Sequence, residues 1–399
     1  MSDGIRMGAG VDRREFFKVA SAGLAAAALP PNERQRVSHA SGAGPGAPAS
    51  ERVGEFEGRS PSIENAQSLA EKNKFDRIAS CSYPIRYIFK SRPRPAGAPP
   101  GGGGSQLSEE LKKKYGEITM LDFPQFTKDT FPGVTHMDLF SGLFGDVTDD
   151  SMFAGRQFDP SSPSGRKWLD ALVAKMAATG TKLQHISNNA PTNLAESDTA
   201  LRKAGVEIGK RWLDAAVILG AKSVRMNSPQ ALGPSIRPNA IIDPETRYPK
   251  NNEIPPLLNN AIESYKEMAD YGGDRGVKVT IENHWGLAAD PINIRIILED
   301  VNHPYCEASP DFCNWEHEHM LFSGLKALAP YAHTNVHAKY WDRWGEKNDV
   351  QRATRIMLAG GFKGTFALEY EAGPLNGIEG AKYLYKEVLA ALSSPTPVV

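Results

Sequence analysis

KVTIENH (Lys278–His284), EASPDF (Glu307–Phe312), TNVHAKY (Thr334–Tyr340) and GTFALEYE (Gly364–Glu371) each read as a short β-strand ending in a residue that can bind a metal. Those residues are Glu282, Asp311, His337 and Glu369. A strand sends successive side chains to opposite faces. Glu282 therefore shares a face with Thr280, while Val277, Val279 and Ile281 share the other. His337 goes with Asn335 and Lys339, opposite Val336 and Ala338; Glu369 goes with Thr365 and Ala367, opposite Phe366, Leu368 and Tyr370. The run around Asp311 is too irregular to alternate.

The same strand–helix rhythm extends upstream. Strands are predicted at Phe75–Ser82, Thr135–Phe140, Lys182–Ser187 and Ser223–Asn227. Helices are predicted at Gly165–Thr179, capped by Ser164, and at about Ala200–Leu219, stopped by Gly220. Further helices follow at Leu257–Tyr271, closed by Gly272-Gly273, then Pro291–Val301, His317–Leu328, Asp349–Leu358 and Ile378–Leu392. A proline-bearing stretch from Ser228 to Glu253 reads as a long loop. Eight alternating strands predict a parallel sheet closed into a (β/α)8 TIM barrel over residues 75–393. An open doubly wound sheet is the structural alternative, but no Gly-x-Gly-x-x-Gly loop follows a strand, which weighs against dinucleotide binding. In a barrel the C-terminal strand ends surround one pocket, where all four candidate ligands would stand.

The ends of the chain read differently. Asp12-Arg13-Arg14-Glu15-Phe16-Phe17-Lys18 precedes an apolar run from Val19 to Leu29, too short to span a bilayer. Residues 1–40 resemble a twin-arginine signal, which implies the twin-arginine export machinery as a partner, a periplasmic or otherwise exported location and no stable membrane anchor. Residues 41–74 read as a flexible spacer, and the Pro/Gly-rich stretch 92–105 as a mobile surface loop. Of the 399 residues, 40% are apolar and 23% charged, with a formal net charge of -1, so no attraction to nucleic acid or anionic membrane is expected. The 3 cysteines, Cys81, Cys306 and Cys313, are too few for a disulfide scaffold; Cys306 and Cys313 could pair in an exported chain, but they flank Asp311, and free thiols are the expectation.

Three carboxylates and one imidazole make an oxygen-rich set suited to Mn²⁺, Mg²⁺, Co²⁺ or Zn²⁺ and unlike a thiolate zinc site. A divalent ion there would offer Lewis acidity to a hydroxyketone, and a carboxylate on either side could remove and return its α proton. His185 and Arg225, near the ends of the third and fourth strands, are candidate substrate-binding residues, as are Asn314, Lys339 and Arg343. His284 reads as a loop residue. Glu316-His317-Glu318-His319 reads as a helix start, because i, i+2 spacing puts its histidines on different faces. Trp315, Trp341 and Trp344 could stack on a sugar ring or fill the core.

From about residue 75 to 393, and most strongly from Val277, the chain resembles the xylose-isomerase-like barrels, in particular their sugar phosphate isomerase/epimerase branch. The resemblance implies one divalent metal, Mn²⁺ first, held by Glu282, Asp311, His337 and Glu369, with the two glutamates as the acid/base pair. It also places Arg343, six residues after the metal histidine, on the substrate. Asn314 stands where the epimerases of the family carry histidine, and Ala288 where they carry glutamate, so a dedicated ketohexose 3-epimerase is not implied. No phosphate-binding loop is evident, and keto-sugars, cyclitol ketones or glycosides are the expected substrates. The reaction implied is proton-transfer isomerisation or epimerisation of a small carbohydrate. A metal-dependent lyase or dehydratase and a periplasmic carbohydrate-binding protein are the alternatives. Apurinic endonucleases share the superfamily, but their three-zinc site needs many more histidines. Barrels of this family often pair as homo-oligomers, although no stretch of sequence marks an interface.

Overall fold

The computed structural model describes residues 74–91, 104–226, 254–284 and 286–394. The predicted export signal, all of the predicted spacer but Lys74, most of the 92–105 stretch and the whole predicted loop 228–253 lie outside the described residues.

Eight strands form one sheet in which every pairing is parallel. They are β1 (Ile78–Cys81), β2 (His136–Phe140), β3 (Lys182–Ser187), β4 (Ser223–Arg225), β5 (Lys278–Ile281), β6 (Cys306–Ala308), β7 (Asn335–Trp341) and β8 (Thr365–Ala372). The strand order is β6–β5–β4–β3–β2–β1–β8–β7, and an isolated parallel bridge between Asp311 and His337 joins its two ends. The sheet is thus the closed (β/α)8 barrel that the rhythm predicts.

Helices α1 (Gly104–Tyr115), α2 (Phe123–Thr130), α3 (Pro163–Thr179), α4 (Thr199–Leu219), α5 (Ile254–Gly273), α6 (Pro291–Val301), α7 (Met320–Leu328), α8 (Val350–Ala359) and α9 (Gly377–Ser393) accompany the strands. The core lies between strands and helices. Val224, Val279, Ile281, Val336, Phe366 and Leu368 from the strands, and Leu169, Leu213, Tyr265, Ile297, Leu325 and Leu384 from the helices, are all buried in one apolar cluster. Each such side chain removed from water stabilises the fold by ~1.5–3 kcal/mol. Several helices begin on a side-chain cap just past the strand ends: Asp198 for α4, Asp290 for α6, Asp349 for α8 and Asn376 for α9. Gly220 ends α4 in the left-handed conformation, at φ 69°, as its sequence position predicts.

The structure corrects several element boundaries. The cap of α3 is Ser162, whose hydroxyl accepts from Gly165 N, and not Ser164. Helix α5 continues through Gly272-Gly273, and α7 starts at Met320 because Glu316 to His319 form an exposed turn. Gly104 and Ser105, read as loop, open α1. Helix α2 and a two-stranded hairpin (Phe153–Ala154 with Gln157–Phe158) have no counterpart in the predicted elements. Strand β6 stops at Ala308 because Pro310 has no N–H to continue the ladder. The three cysteines are thiols, Cys81 and Cys313 buried. Among the described residues no helix is long and apolar enough to cross a membrane.

Candidate active site

The inward faces of the strands carry the polar side chains. On β7 these are Asn335, His337 and Lys339, and on β8 Thr365 and Glu369 with the small Ala367 between them, paired level by level across the sheet. His337 thus stands level with Ala367, one layer below Lys339 and Glu369. Ala79 and Cys81 on β1 form a small apolar cluster with Ala367. Between β2 and β3 the register slips, so that Gln184 is an extra residue between the pairs Met137–Leu183 and Asp138–His185. Such a bulge re-aims the side chain after it. Here it sets His185 opposite Asp138 and leaves Leu183 and Ile186 in the core outside.

Glu282, Asp311 and His337 come together: one donor atom from each lies within 4.8 Å of the others. Glu282 Oε2 accepts from Arg225 Nη1 and stands 3.2 Å from His337 Nδ1, while Oε1 accepts from Asn314 Nδ2 at 2.9 Å. Burial pushes the Glu282 carboxyl up, but Arg225 and His337 hold it well below the usual range. Asp311 Oδ1 accepts from the backbone N–H groups of Cys313 and Asn314; Oδ2 has no hydrogen-bond partner, with Lys339 Nζ 3.4 Å away. Burial, opposed by Lys339 and reinforced by Glu369 and Glu282, pushes Asp311 up to about 7. His337 Nε2 lies 2.9 Å from Asp138 Oδ2 and 3.0 Å from Ser187 Oγ, and its Nδ1 has no hydrogen-bond partner. Burial pulls His337 down, yet Glu282, Glu369 and Asp138 raise it well above its ordinary value.

A divalent cation fits this set. Bare, buried donor atoms are rare in folded proteins unless something else satisfies them, and Asp311 Oδ2 and His337 Nδ1 are two such atoms beside the Glu282 carboxylate. Oxygen and imidazole donors suit Mn²⁺, Mg²⁺, Co²⁺ or Zn²⁺ without selecting one. Glu369 stands next to the group, with Oε2 3.7 Å from His337 Nε2 and Oε1 accepting from Lys339 Nζ at 3.1 Å.

Above lies a cavity of about 230 Å³ whose lining includes Tyr83, Phe140, Arg225, Lys339, Trp341 and Glu369. That is below the range for drug-sized ligands and suits a single ring. Arg225 also donates to Asn188 O and Asn189 Oδ1, and Asn314 lines the cavity. Lys339 lies among Asp311, Glu369 and Glu371; burial lowers its pKa, but those carboxylates raise it well above the ordinary lysine value. His185 is fully buried below the cavity, bonded through Nδ1 to Ser223 Oγ at 2.7 Å, and burial lowers it to about 4. Arg343 is exposed, stacks on Trp344 with its guanidinium carbon 4.5 Å from the ring centroid, and donates to Glu316 O. It does not line the cavity. Trp341 does, whereas Trp315 is a core residue.

Asp138 and Glu371 are polar members of the constellation that the sequence reading does not single out. Glu371 accepts from Tyr83 OH at 3.2 Å and pairs with Lys339 and Arg86. The available signal for Asp138 was an acidic residue between Met137 and Leu139 in a predicted strand, which alternation turns inward.

A family model described as xylose isomerase-like TIM barrel matches residues 150–392. Among solved structures, 3-keto-D-glucoside 4-epimerase from E. coli is similar at 11% identity and a TM-score of 0.50, covering 78% of this chain and 99% of that one. L-ribulose 3-epimerase is similar at 15% identity and a TM-score of 0.50, covering 79% and 94%. A xylose isomerase-like barrel protein from Mycobacterium smegmatis, in complex with magnesium, reaches 17% identity and a TM-score of 0.47, covering 79% and 98%. At these identities the likeness is one of fold. No curated protein sequence matches the chain. Since the family model spans more than half of its length, the chain belongs to the xylose isomerase-like TIM barrel family.

Proposed function

We propose that this protein is a divalent-metal-dependent sugar isomerase or epimerase that moves a proton at a carbon next to a carbonyl. The observation that carries the reading is the convergence of Glu282, Asp311 and His337 with Asp311 Oδ2 and His337 Nδ1 left bare, beside Glu369. Two similar structures, a keto-glucoside epimerase and a ribulose epimerase, belong to enzymes of that reaction class. Glu282, Asp311, His337 and Glu369 would hold the metal, which when bound supplies positive charge beside the carbonyl and hydroxyl oxygens of a hydroxyketone.

The chain's own groups divide the remaining work. Glu369 lines the cavity and is the carboxylate that removes the proton; it can return it to the neighbouring carbon in an isomerisation, whereas an epimerisation needs Glu282 to deliver a proton from the opposite face. Glu282 has both oxygens engaged, by Arg225 and His337 on one and Asn314 on the other, and is held in one orientation beneath the substrate. Lys339 offers its ammonium to a substrate oxygen, and Arg225 and Asn314 complete the polar wall. Tyr83, Phe140 and Trp341 present apolar surface to a sugar ring. The absence of Arg343 from this wall limits its part to the rim.

The test is metal content together with solvent deuterium uptake into a panel of keto-sugars. The expected result is near one equivalent of divalent metal and deuterium at the carbon beside the carbonyl. Glu369→Gln should slow the exchange by about 100-fold or more, the usual worth of a positioned base. A wild-type protein without metal, or exchange untouched by Glu369→Gln, would overturn the reading. A product lighter by a leaving group would assign a lyase instead.

A further inference from the structure

We infer that Asp138 is a positioning residue that fixes His337 with its proton on Nε2 and its Nδ1 lone pair aimed at the divalent cation. It follows that Asp138 and His185 do not form a second cation site. The inference rests on the metal reading above and adds to it a residue on the opposite side of the barrel.

Ser187 Oγ donates to Asp138 Oδ1 at 2.7 Å, so its only proton is committed and toward His337 it can only accept. Asp138 Oδ2, 2.9 Å from Nε2, is likewise an acceptor. Both neighbours of Nε2 therefore demand a proton there, so when the ring gives up its other proton to take a cation the lone pair is on Nδ1. Nδ1 stands 3.2 Å from Glu282 Oε2 without an aligned hydrogen bond, and His337 shares with Glu282 and Asp311 a set of donor atoms within 4.8 Å of one another.

Asp138 is itself held. Asn335 Nδ2 donates to its Oδ2 at 2.9 Å, and Thr365 Oγ1 donates to Asn335 Oδ1 at 2.7 Å, which fixes which way the amide faces. The relay from Thr365 through Asn335 and Asp138 to His337 crosses β8, β7 and β2, and every member is buried. A carboxylate oriented by two donors, Ser187 Oγ and Asn335 Nδ2, holds an imidazole in one pose, as carboxylate–histidine pairs do behind many metals.

Asp138, His185 and His337 also lie within 4.8 Å of one another, and His185 Nε2 has no hydrogen-bond partner, so a second cation is the competing reading. It would have to take Nε2 of His337, stripping the proton that Asp138 and Ser187 both accept. It would also face the Arg225 guanidinium, whose charge already acts on His185.

The experiment is titration of the chelator-stripped full chain with Mn²⁺, read as free Mn²⁺ by electron paramagnetic resonance. It is paired with ring-¹⁵N histidine spectra of the Zn²⁺-loaded protein. The wild type should bind one equivalent, with His337 protonated on Nε2. Asp138→Asn should bind one equivalent about 10–100-fold more weakly and lose or shift the Nε2–H signal, while His185→Ala keeps the wild-type stoichiometry and affinity. Should Asp138→Asn not fold, Ser187→Ala carries the test, with a weakening in the same direction. A merely structural Asp138 would lower the melting temperature of the metal-free protein and leave affinity unchanged, which overturns the inference while the metal reading stands. Two equivalents in the wild type, the second lost in His185→Ala, would overturn it as well. A wild type that binds no metal would overturn both.

Discussion

Arg225 shows what a single residue contributes here. Its guanidinium bonds Asn188 O through Nε, Glu282 through Nη1 and Asn189 through Nη2, at the wall of the cavity. Removing one partner of a buried ion pair leaves the other charge uncompensated. Arg225→Met should therefore destabilise the metal-free protein by ~3–5 kcal/mol at neutral pH, measured by urea unfolding in the presence of a chelator. The sign of its pH dependence follows from Glu282. Arg225 helps to hold that carboxyl below its unfolded value, so the stability it gives is present above an unfolded pKa of about 4.3 and lost as pH falls. The deficit of Arg225→Met should accordingly narrow on acidification, and a deficit that widened would refute the pairing. Residues of this kind differ in how visible they are in sequence. Glu282, His337 and Glu369 announce themselves as polar residues on one face of a strand whose other face is apolar. The same alternation would have exposed Asp138, but a lone carboxylate between Met137 and Leu139 gains meaning only once β2 is seen across the barrel from His337.

At the scale of elements, helix α9 and the segment after β1 are fitted with no spare room. A Cβ added at Gly377, in the first turn of α9, would stand 1.8 Å from Pro84 O, so backbone would have to move. Pro84 follows Tyr83 and precedes Arg86, the residues that meet Glu371 at the cavity edge. Gly377→Ala should cost about 1–3 kcal/mol by overpacking, read as a lower urea midpoint. It should also weaken binding of whatever ligand contacts Tyr83. A variant as stable as the wild type would show that α9 can shift freely. The elements themselves were unevenly legible. Long amphipathic helices such as α4 and α6 declare their length through apolar spacing, caps and a glycine or asparagine stop. Helix α1 does not, because SQLSEELKKKY offers only two well-spaced leucines and follows a glycine run. The bulge at Gln184 was equally hidden, since Leu183 and Ile186 fit an unbroken strand of either register.

The strands of the described residues form a ring whose seam passes through the candidate metal site. The rhythm of eight strands was enough to predict a barrel, because it survives short strands and shifted boundaries. Where the ring closes was not legible, because Pro310 interrupts the ladder after β6 and pairing resumes only at Asp311. Two backbone bonds hold that point, Phe312 N to His337 O at 3.1 Å and His337 N to Pro310 O at 3.0 Å, with Ser309 Oγ bonding Asn335 O just below. Asp311 and His337 face each other across it, so a cation held by both would staple β6 to β7. Ligand that binds only the folded state stabilises it by ~2.7 kcal/mol at a hundredfold excess over Kd, and here that stabilisation has a place. Saturating Mg²⁺ should slow hydrogen exchange at the Phe312 and His337 amides by up to about 100-fold, while amides between β1 and β2 change little if they exchange by local opening. Chelation should reverse the effect and lower the melting temperature. Uniform slowing across the barrel would mean that the ion stabilises the fold without closing the seam, and no slowing at Phe312 and His337 would separate the metal from the closure altogether.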